Sequence, residues 1–219
     1  RRFEAEAQLV ARLEHPHIVS LFDFWRDPEG AYLVMPYLRG GDLDHLLRQG
    51  PLRPDSALEL IQSIGGALAY AHRRGVIHRD VTPHNVLLDD EGHPYLADFG
   101  VAALIGETGP ATSSSPAFLA PEDLAGHGAS PQSDVYSLGM LTHAVLTGEA
   151  PEEGEALSPV SAQRSDLPTG VDEVVELATA IDTTERYRDV GALVADLGRS
   201  LGAGVPGDLR PVIETRDTY

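Results

Sequence analysis

The chain contains no lysine and no cysteine. Its 219 residues carry 34 acidic side chains against 16 arginines, which gives a formal net charge of −18 at pH 7. The absence of cysteine excludes a disulfide framework and a thiolate metal site. The acidic excess opposes binding to a nucleic-acid backbone or an anionic membrane, so we expect neither as a partner. The excess favours solubility, and an acidic docking surface is the alternative.

Long apolar runs are also absent. No stretch reaches the roughly 18 residues that cross a bilayer, and no signal peptide opens the chain, so we expect a cytoplasmic protein with no membrane contact. The apolar fraction of 42% is ordinary for a globular protein, and the length suffices for one large domain or two lobes. The chain opens on Arg1 directly in a helical pattern, so we expect a piece of a longer protein that is fused to further domains.

Apolar periodicity and turn residues predict a few strands near the start and helices after them. The predicted strands are 18–25 and 31–37, with short extended pieces at 76–77, 86–88 and 94–97. The predicted helices are 3–13, a short one capped by Asp42 and ending at Arg48, 54–74, 134–147, 171–180 and 189–201. Residues 106–116 and 149–170 are predicted loops.

A cluster of polar residues in the middle of the chain has the spacing that phosphoryl transfer requires. Asp80 and Asn85 lie on one loop, and Asp98 begins another. The reaction needs a carboxylate at the attacking hydroxyl and oxygen ligands that hold magnesium against the nucleotide phosphates. Asp80 is therefore the candidate base, and Asn85 with Asp98 are the candidate magnesium ligands. The alternative is that all three are ordinary turn and cap residues.

The motifs His78-Arg79-Asp80, Asp98-Phe99-Gly100 and Ala120-Pro121-Glu122 resemble, in order and spacing, those of eukaryotic-type Ser/Thr protein kinases of bacteria. The resemblance implies an α+β, two-lobed fold and transfer of the ATP γ-phosphoryl group to protein Ser/Thr hydroxyls, with Mg²⁺. It divides the chain into a small-lobe remnant (1–38), a large lobe (39–201) and a linker (202–219). The family's Gly-rich loop and phosphate-anchoring lysine would precede Arg1.

The resemblance also implies a nucleotide site. Glu6 matches the regulatory-helix glutamate that pairs with the anchoring lysine, although a solvated helix face explains Glu6 as well. Asp42 matches a residue that bonds ribose, and it can cap a helix at the same time. The remaining nucleotide-site residues are the gatekeeper Met35, the hinge residue Leu38, and Leu87.

Other matches are regulatory or structural. In the resembled family, an arginine at the position of Arg79 is typical of kinases whose activation loop is ordered by phosphorylation. An arginine at this position can bind the added phosphate. Glu122 and Arg186 match an ion pair that ties this loop to the large lobe, and Asp134 matches the buried cap of the catalytic loop. His78 falls in an apolar spine with Val10, Leu21 and Phe99, so we expect it in the core. The candidate phosphate acceptors are Thr108, Thr112, Ser113 and Ser114.

Thr82 departs from the family pattern. A lysine is usual at this position, where it stabilises the transferring γ-phosphate, and threonine supplies a hydroxyl without a charge. A pseudokinase, which binds nucleotide or partners without turnover, is therefore the alternative to an active kinase. A small-molecule phosphotransferase is a third option, which the Ala120-Pro121-Glu122 segment opposes.

Overall fold

The structure, a computed structural model, describes residues 9–27, 30–99, 115–152 and 156–202. Within these ranges the fold is α+β, with the strands confined to its first half. The strands are β1 (Asp23–Asp27), β2 (Gly30–Val34), β3 (Val86–Leu88) and β4 (Pro94–Leu96). The helices are α1 (Leu43–Leu47), α2 (Pro54–His72), α3 (Pro121–Leu124), α4 (Pro131–Thr147), α5 (Val160–Gln163), α6 (Gly170–Ala178) and α7 (Val190–Leu201). Two 3₁₀ turns cover Pro83–Asn85 and Pro116–Phe118.

The strands form two antiparallel pairs, β1 with β2 and β3 with β4. Trp25 lies opposite Tyr32 in the first pair, and their rings stack with centroids 5.2 Å apart. Ile18 bridges Leu96 in parallel, which ties the segment before β1 to β4. The first hairpin is thus connected to the loops that carry the candidate catalytic residues.

Helices α2 and α4 form the centre of the helical part. Helix α2 packs against α4 and α7, and α4 packs against α6. Helix α4 buries nearly all its side chains, so it lies inside the protein and not on its surface. Gly139 permits this packing, because a Cβ atom there would lie 2.6 Å from the Cβ atom of Ala178 in α6. Within the described residues, no helix combines the length and apolar character that crossing a bilayer requires.

Most of the predicted helices are confirmed. Asp42 caps α1 by accepting a hydrogen bond from the amide of His45 at 2.7 Å, and Asp189 caps α7 in the same way through Ala192. The long helices begin or end within three residues of their predicted limits. The prediction of helix over residues 3–13 is tested only at its end, where Leu9 and Val10 are helical and a turn follows.

Three local predictions are wrong. The first strand begins at Asp23 and not at Ile18, because Ile18 is buried and pairs with Leu96 instead. The second strand ends at Val34 and not at Tyr37. The predicted loop 149–170 contains α5, whose single turn is too short to show a helical repeat and is held by buried Val160.

Candidate active site

Asp134 holds the backbone of the predicted catalytic loop. Its carboxylate is fully buried in α4 and accepts hydrogen bonds from the amides of His78 and Arg79, each at 2.9 Å. Arg79 has a φ of 75°, which is uncommon for a side chain other than glycine. The two hydrogen bonds therefore stabilise a strained backbone at the start of the loop.

His72 is a member of this network that the sequence motifs do not predict. It is the last residue of α2, and its Nε2 atom lies 2.6 Å from Oδ2 of Asp134. The imidazole is nearly buried, with 11% of its side chain exposed. A buried carboxylate needs donors for its oxygens, and His72 supplies the third one after the two loop amides. The only hint in the sequence is the position of His72 near the C-terminus of a helix that precedes the motif.

His78 joins the two candidate catalytic loops from inside the protein. It is 1% exposed, which confirms the prediction of a core histidine. Its Nδ1 atom accepts a hydrogen bond from the amide of Asp80 at 3.2 Å, and its Nε2 atom donates to the carbonyl of Ala97 at 2.8 Å. The ring also makes an edge contact with Phe99, with centroids 4.5 Å apart. Both ring nitrogens are engaged, so His78 fixes the distance between the loops.

Asp80 and Asn85 are in direct contact. The side-chain amide of Asn85 donates to the carbonyl of Asp80 at 2.8 Å and to the Asp80 carboxylate at 2.9 Å. This use of the NH₂ group leaves the amide oxygen of Asn85 as the atom available to a cation. The backbone carbonyl of Asn85 accepts from the amide of Ala97 at 2.8 Å, which brings it beside Asp98.

Asp98 is presented by a strained backbone, with a φ of 59°. Although the residue as a whole is exposed, burial of the carboxylate raises its pKa above the ordinary value. The electrostatic interaction with the His78 ring opposes this shift, and the negative charge of Asp80 adds to it. The Asp98 carboxylate and the Asn85 amide oxygen are hard oxygen donors, which suit Mg²⁺. The described residues thus fit a magnesium site at Asn85 and Asp98.

Thr82 is fully buried beneath this loop. Its hydroxyl has no hydrogen-bond partner among the residues that the structure describes. The Thr82 side chain is short and buried. It therefore does not reach the space that a lysine, the usual residue at this position in the resembled family, would occupy with its longer charged side chain. The missing lysine is therefore not replaced by an equivalent side chain at this position.

The predicted nucleotide site coincides partly with an apolar pocket. Met35, the predicted gatekeeper, lines this pocket together with Asp98 and Phe99. Leu38 is half-buried in the segment between β2 and α1. The pocket is completed by Val10, Val19, Leu21 and Leu33. The walls of this pocket are apolar except for the Asp98 carboxylate.

Asp42 and Leu87 face each other across an isolated antiparallel bridge. Gly40 supports the same contact, because its amide donates to the carbonyl of Leu88 at 2.9 Å. A Cβ atom at Gly40 would lie only 2.3 Å from the carbonyl oxygen of Asp89, so a larger residue does not fit there. The sequence predicts Asp42 and Leu87 as site residues but does not predict the role of Gly40. One Asp42 oxygen caps α1, and the other lies 3.7 Å from Nδ1 of His84.

Glu122 and Arg186 form the predicted ion pair. The guanidinium donates to both Glu122 oxygens, at 2.6 and 2.8 Å, and the Arg186 side chain is fully buried. Burial alone would raise the pKa of Glu122, but the bonds from Arg186 outweigh it and hold the pKa below its ordinary value. The other guanidinium hydrogens are satisfied by the carbonyls of Gln132, Ala180 and Ile181.

Several predicted residues lie outside the described parts of the chain. They are Glu6 of the regulatory helix and the candidate phosphate acceptors Thr108, Thr112, Ser113 and Ser114. The structure brings Asp80, Asn85 and Asp98 together. Arg79 is exposed beside them, and Asp134 lies beneath them.

Three comparisons with known proteins indicate what the chain is similar to. A family model for the protein kinase domain matches residues 1–187. The chain is 39% identical over 214 residues to serine/threonine-protein kinase PknL of Mycobacterium tuberculosis, a match that covers 90% of this chain and 53% of PknL. It is 34% identical over 220 residues to serine/threonine-protein kinase PrkC of Bacillus subtilis, covering 93% of this chain and 34% of PrkC.

A solved structure shows the same fold. The crystal structure of the Mycobacterium tuberculosis PknI kinase domain matches with a TM-score of 0.79 and 30% identity, covering 91% of this chain and 78% of that one. This match confirms the predicted α+β kinase-like fold. The chain spans about half of PknL and about a third of PrkC.

Proposed function

Because the chain belongs to the protein kinase family, we propose that the protein transfers the γ-phosphoryl group of ATP to serine or threonine hydroxyls of other proteins, with Mg²⁺. The contact of Asn85 with the Asp80 carboxylate, next to the loop that begins at Asp98, is the observation that carries this proposal. The names of PknL and PrkC support the choice of Ser/Thr as the acceptor. The division into a small-lobe remnant, a large lobe and a linker is part of the same proposal.

Each residue of the site has a separate task in this reaction. The Asp80 carboxylate orients the substrate hydroxyl and accepts its proton, and the amide of Asn85 fixes the direction of that carboxylate. Asn85 and Asp98 would hold Mg²⁺, which when bound neutralises charge on the phosphates. The family motifs place the adenine ring near Met35, Leu38 and Leu87, with Asp42 toward the ribose, and Asp42 and Leu87 are paired across a bridge.

Two further assignments concern regulation. Arg79 is exposed next to Asp80, where it could pair with a phosphate on one of the predicted acceptors Thr108, Thr112, Ser113 and Ser114. Glu6 would orient the phosphate-anchoring lysine. These assignments rest on the family motifs alone.

Thr82 supports a second candidate function, a pseudokinase that binds nucleotide without turnover. Its buried hydroxyl offers no charge to the γ-phosphate. The intact arrangement of Asp80, Asn85 and Asp98 opposes this candidate, since a protein without turnover has no need of a base that is held in position.

Incorporation of labelled γ-phosphate into a generic protein substrate tests the choice between these functions. We expect the wild-type protein to produce phosphoserine or phosphothreonine in a Mg²⁺-dependent manner. Asp98→Asn removes a ligand charge and should lower the rate at least 100-fold, whereas the exposed control Asp90→Asn should not change it. Equal background incorporation by the wild type and Asp98→Asn would support the pseudokinase.

A further inference from the structure

Asp123 lies in α3, directly after Glu122 and against Ser133 of α4. It is 7% exposed, which is unusual for a carboxylate. The hydroxyl oxygen of Ser133 lies 3.1 Å from Oδ1 of Asp123 and 3.2 Å from Oε1 of Glu122. A hydroxyl has one proton, so it can donate to only one of these two carboxylates at a time. Its lone pair already accepts from the amide of Ser130 at 3.1 Å.

The two carboxylates differ in their other partners. Glu122 receives two hydrogen bonds from Arg186, which hold it in the ionised form. Asp123 makes no ion pair within the part of the chain that the structure describes. When both groups are ionised, the Ser133 hydroxyl can donate to only one of them, while both Glu122 oxygens keep their hydrogen bonds from Arg186. A proton on Asp123 would add a donor to this group, so that Asp123 donates to the Ser133 oxygen and Ser133 donates to Glu122.

We propose that Asp123 is a positioning residue whose protonation state determines how firmly the segment 115–124 is held against α4. The protonated form adds one hydrogen bond among Asp123, Ser133 and Glu122 and removes the repulsion between two neighbouring carboxylates, and the ionised form lacks both contributions. The assignment of segment 115–124 as the substrate-facing part of the site rests on the proposed function. The effect of Asp123 protonation on how firmly segment 115–124 is held does not rest on the proposed function.

Three charged groups face Asp123, namely Glu122 on its own helix, Asp134 in α4, and Arg186 in the loop before α7. Burial raises the pKa of Asp123 from 3.8 to about 6; the hydroxyl of Ser133 and the charge of Arg186 oppose the shift, while Glu122 and Asp134 add to it. The folded state therefore binds this proton more tightly than the unfolded state between pH 3.8 and about 6. The stabilising contribution is present at low pH and is lost as the pH rises through about 6.

The variant Asp123→Asn tests the proposal, because asparagine is neutral and supplies a donor at every pH. We expect its Tm to exceed that of the wild-type chain by about 2–4 °C at pH 7.5, and the difference to shrink towards zero at pH 5. The control Asp90→Asn also removes one negative charge but is exposed, so its difference from wild type should not depend on pH in this way. A Tm difference for Asp123→Asn that is the same at both pH values, or a lower Tm at pH 7.5, would overturn the proposal.

Two further measurements report on the segment and on the proton. Amide hydrogen exchange at 118–125 should be several-fold slower in Asp123→Asn than in wild type at pH 7.5 and equal at pH 5. Ser133→Ala removes the donor that favours ionised Asp123, so the NMR titration midpoint of Asp123 should move to higher pH. A lower or unchanged midpoint, or equal exchange at pH 7.5, contradicts the proposal. None of these measurements requires phosphoryl transfer, so a failure of the proposed function would be seen separately.

Discussion

Some side chains in the candidate site hold the backbone in position, and others carry the chemistry. Asp134 holds the amides of His78 and Arg79, and His78 in turn connects Asp80 with the carbonyl of Ala97. These contacts are buried, so each lost partner leaves a polar group that water cannot reach. The geometry around Asp80 therefore depends on residues that never touch a substrate.

Thr82→Val tests whether the Thr82 hydroxyl has a partner. The hydroxyl is buried without one among the described residues, so its replacement by a methyl group should raise the free energy of unfolding by about 1 kcal/mol. The matched control is Thr142→Val, because the buried Thr142 hydroxyl donates to the carbonyl of Leu138 at 2.7 Å. The control should lose about 0.5–1.5 kcal/mol in urea unfolding. Equal losses in both variants would contradict the expectation.

His143 should make the stability depend on pH. Burial lowers its pKa below the ordinary value of 6.5, with Nε2 bonded to the carbonyl of Ser158 and Nδ1 buried without a partner in the described residues. The unfolded state therefore binds more protons between the lowered pKa and 6.5, so this contribution is present above pH 6.5 and is lost as the pH falls.

His143→Gln is the variant that isolates this effect, because glutamine can keep the hydrogen bond to Ser158 but does not titrate. Urea unfolding at several pH values between 5 and 7.5 measures it. The stability of the variant relative to wild type should increase as the pH falls. A constant difference across this range would contradict the prediction.

The motifs predict Asp80, Asn85 and Asp98 correctly as neighbours because two short loops with fixed spacing bring them together. They do not predict His72 or the pair of Asp123 with Ser133. His72 meets Asp134 across 62 positions of the chain, and Asp123 meets Ser133 across ten. Such contacts depend on how α2, α3 and α4 pack, and no local repeat in the sequence records that packing.

At the level of elements, helix α4 organises the large helical part. It carries Asp134 under the catalytic loop, Ser133 against α3, and Gly139 at its contact with α6. Its sequence is strongly apolar, which agrees with the burial of nearly all its side chains. The short elements α3 and α5 are not predicted, because a single turn has no period to detect.

The close approach of α4 and α6 gives a sharp test. Gly139→Ala places a Cβ atom 2.6 Å from Cβ of Ala178 and 3.0 Å from Cγ2 of Thr179, so the helices must move apart. We expect a loss of about 1–3 kcal/mol in the free energy of unfolding. Gly198→Ala in α7 is the control, since its nearest neighbour would be Cδ1 of Leu58 at 3.9 Å. The control should gain up to about 1 kcal/mol from helix propensity, and equal effects of both variants would contradict the packing.

On the scale of the whole molecule, the fold class follows from the order of the motifs, and the comparison with PknI confirms it. Composition alone predicts far less. The charge of −18 and the lack of lysine leave arginine and histidine as the cationic side chains of the chain, but they do not indicate where a phosphate would bind. The division at residues 38 and 201 stays a prediction, and the bridge between Ile18 and Leu96 joins residues on both sides of the first boundary.

The rate of γ-phosphate transfer by Asp80→Asn at saturating MgATP tests the central claim most directly. Asparagine keeps the shape of Asp80 but cannot accept the hydroxyl proton, so the rate should fall by about 10²–10⁴-fold. The affinity for MgATP, measured on the same samples, should stay within about threefold, because the side-chain oxygen of asparagine can still accept the hydrogen bond from Asn85 that holds this magnesium ligand in place. A transfer rate equal to that of the wild-type protein would contradict the assignment of Asp80 as the base.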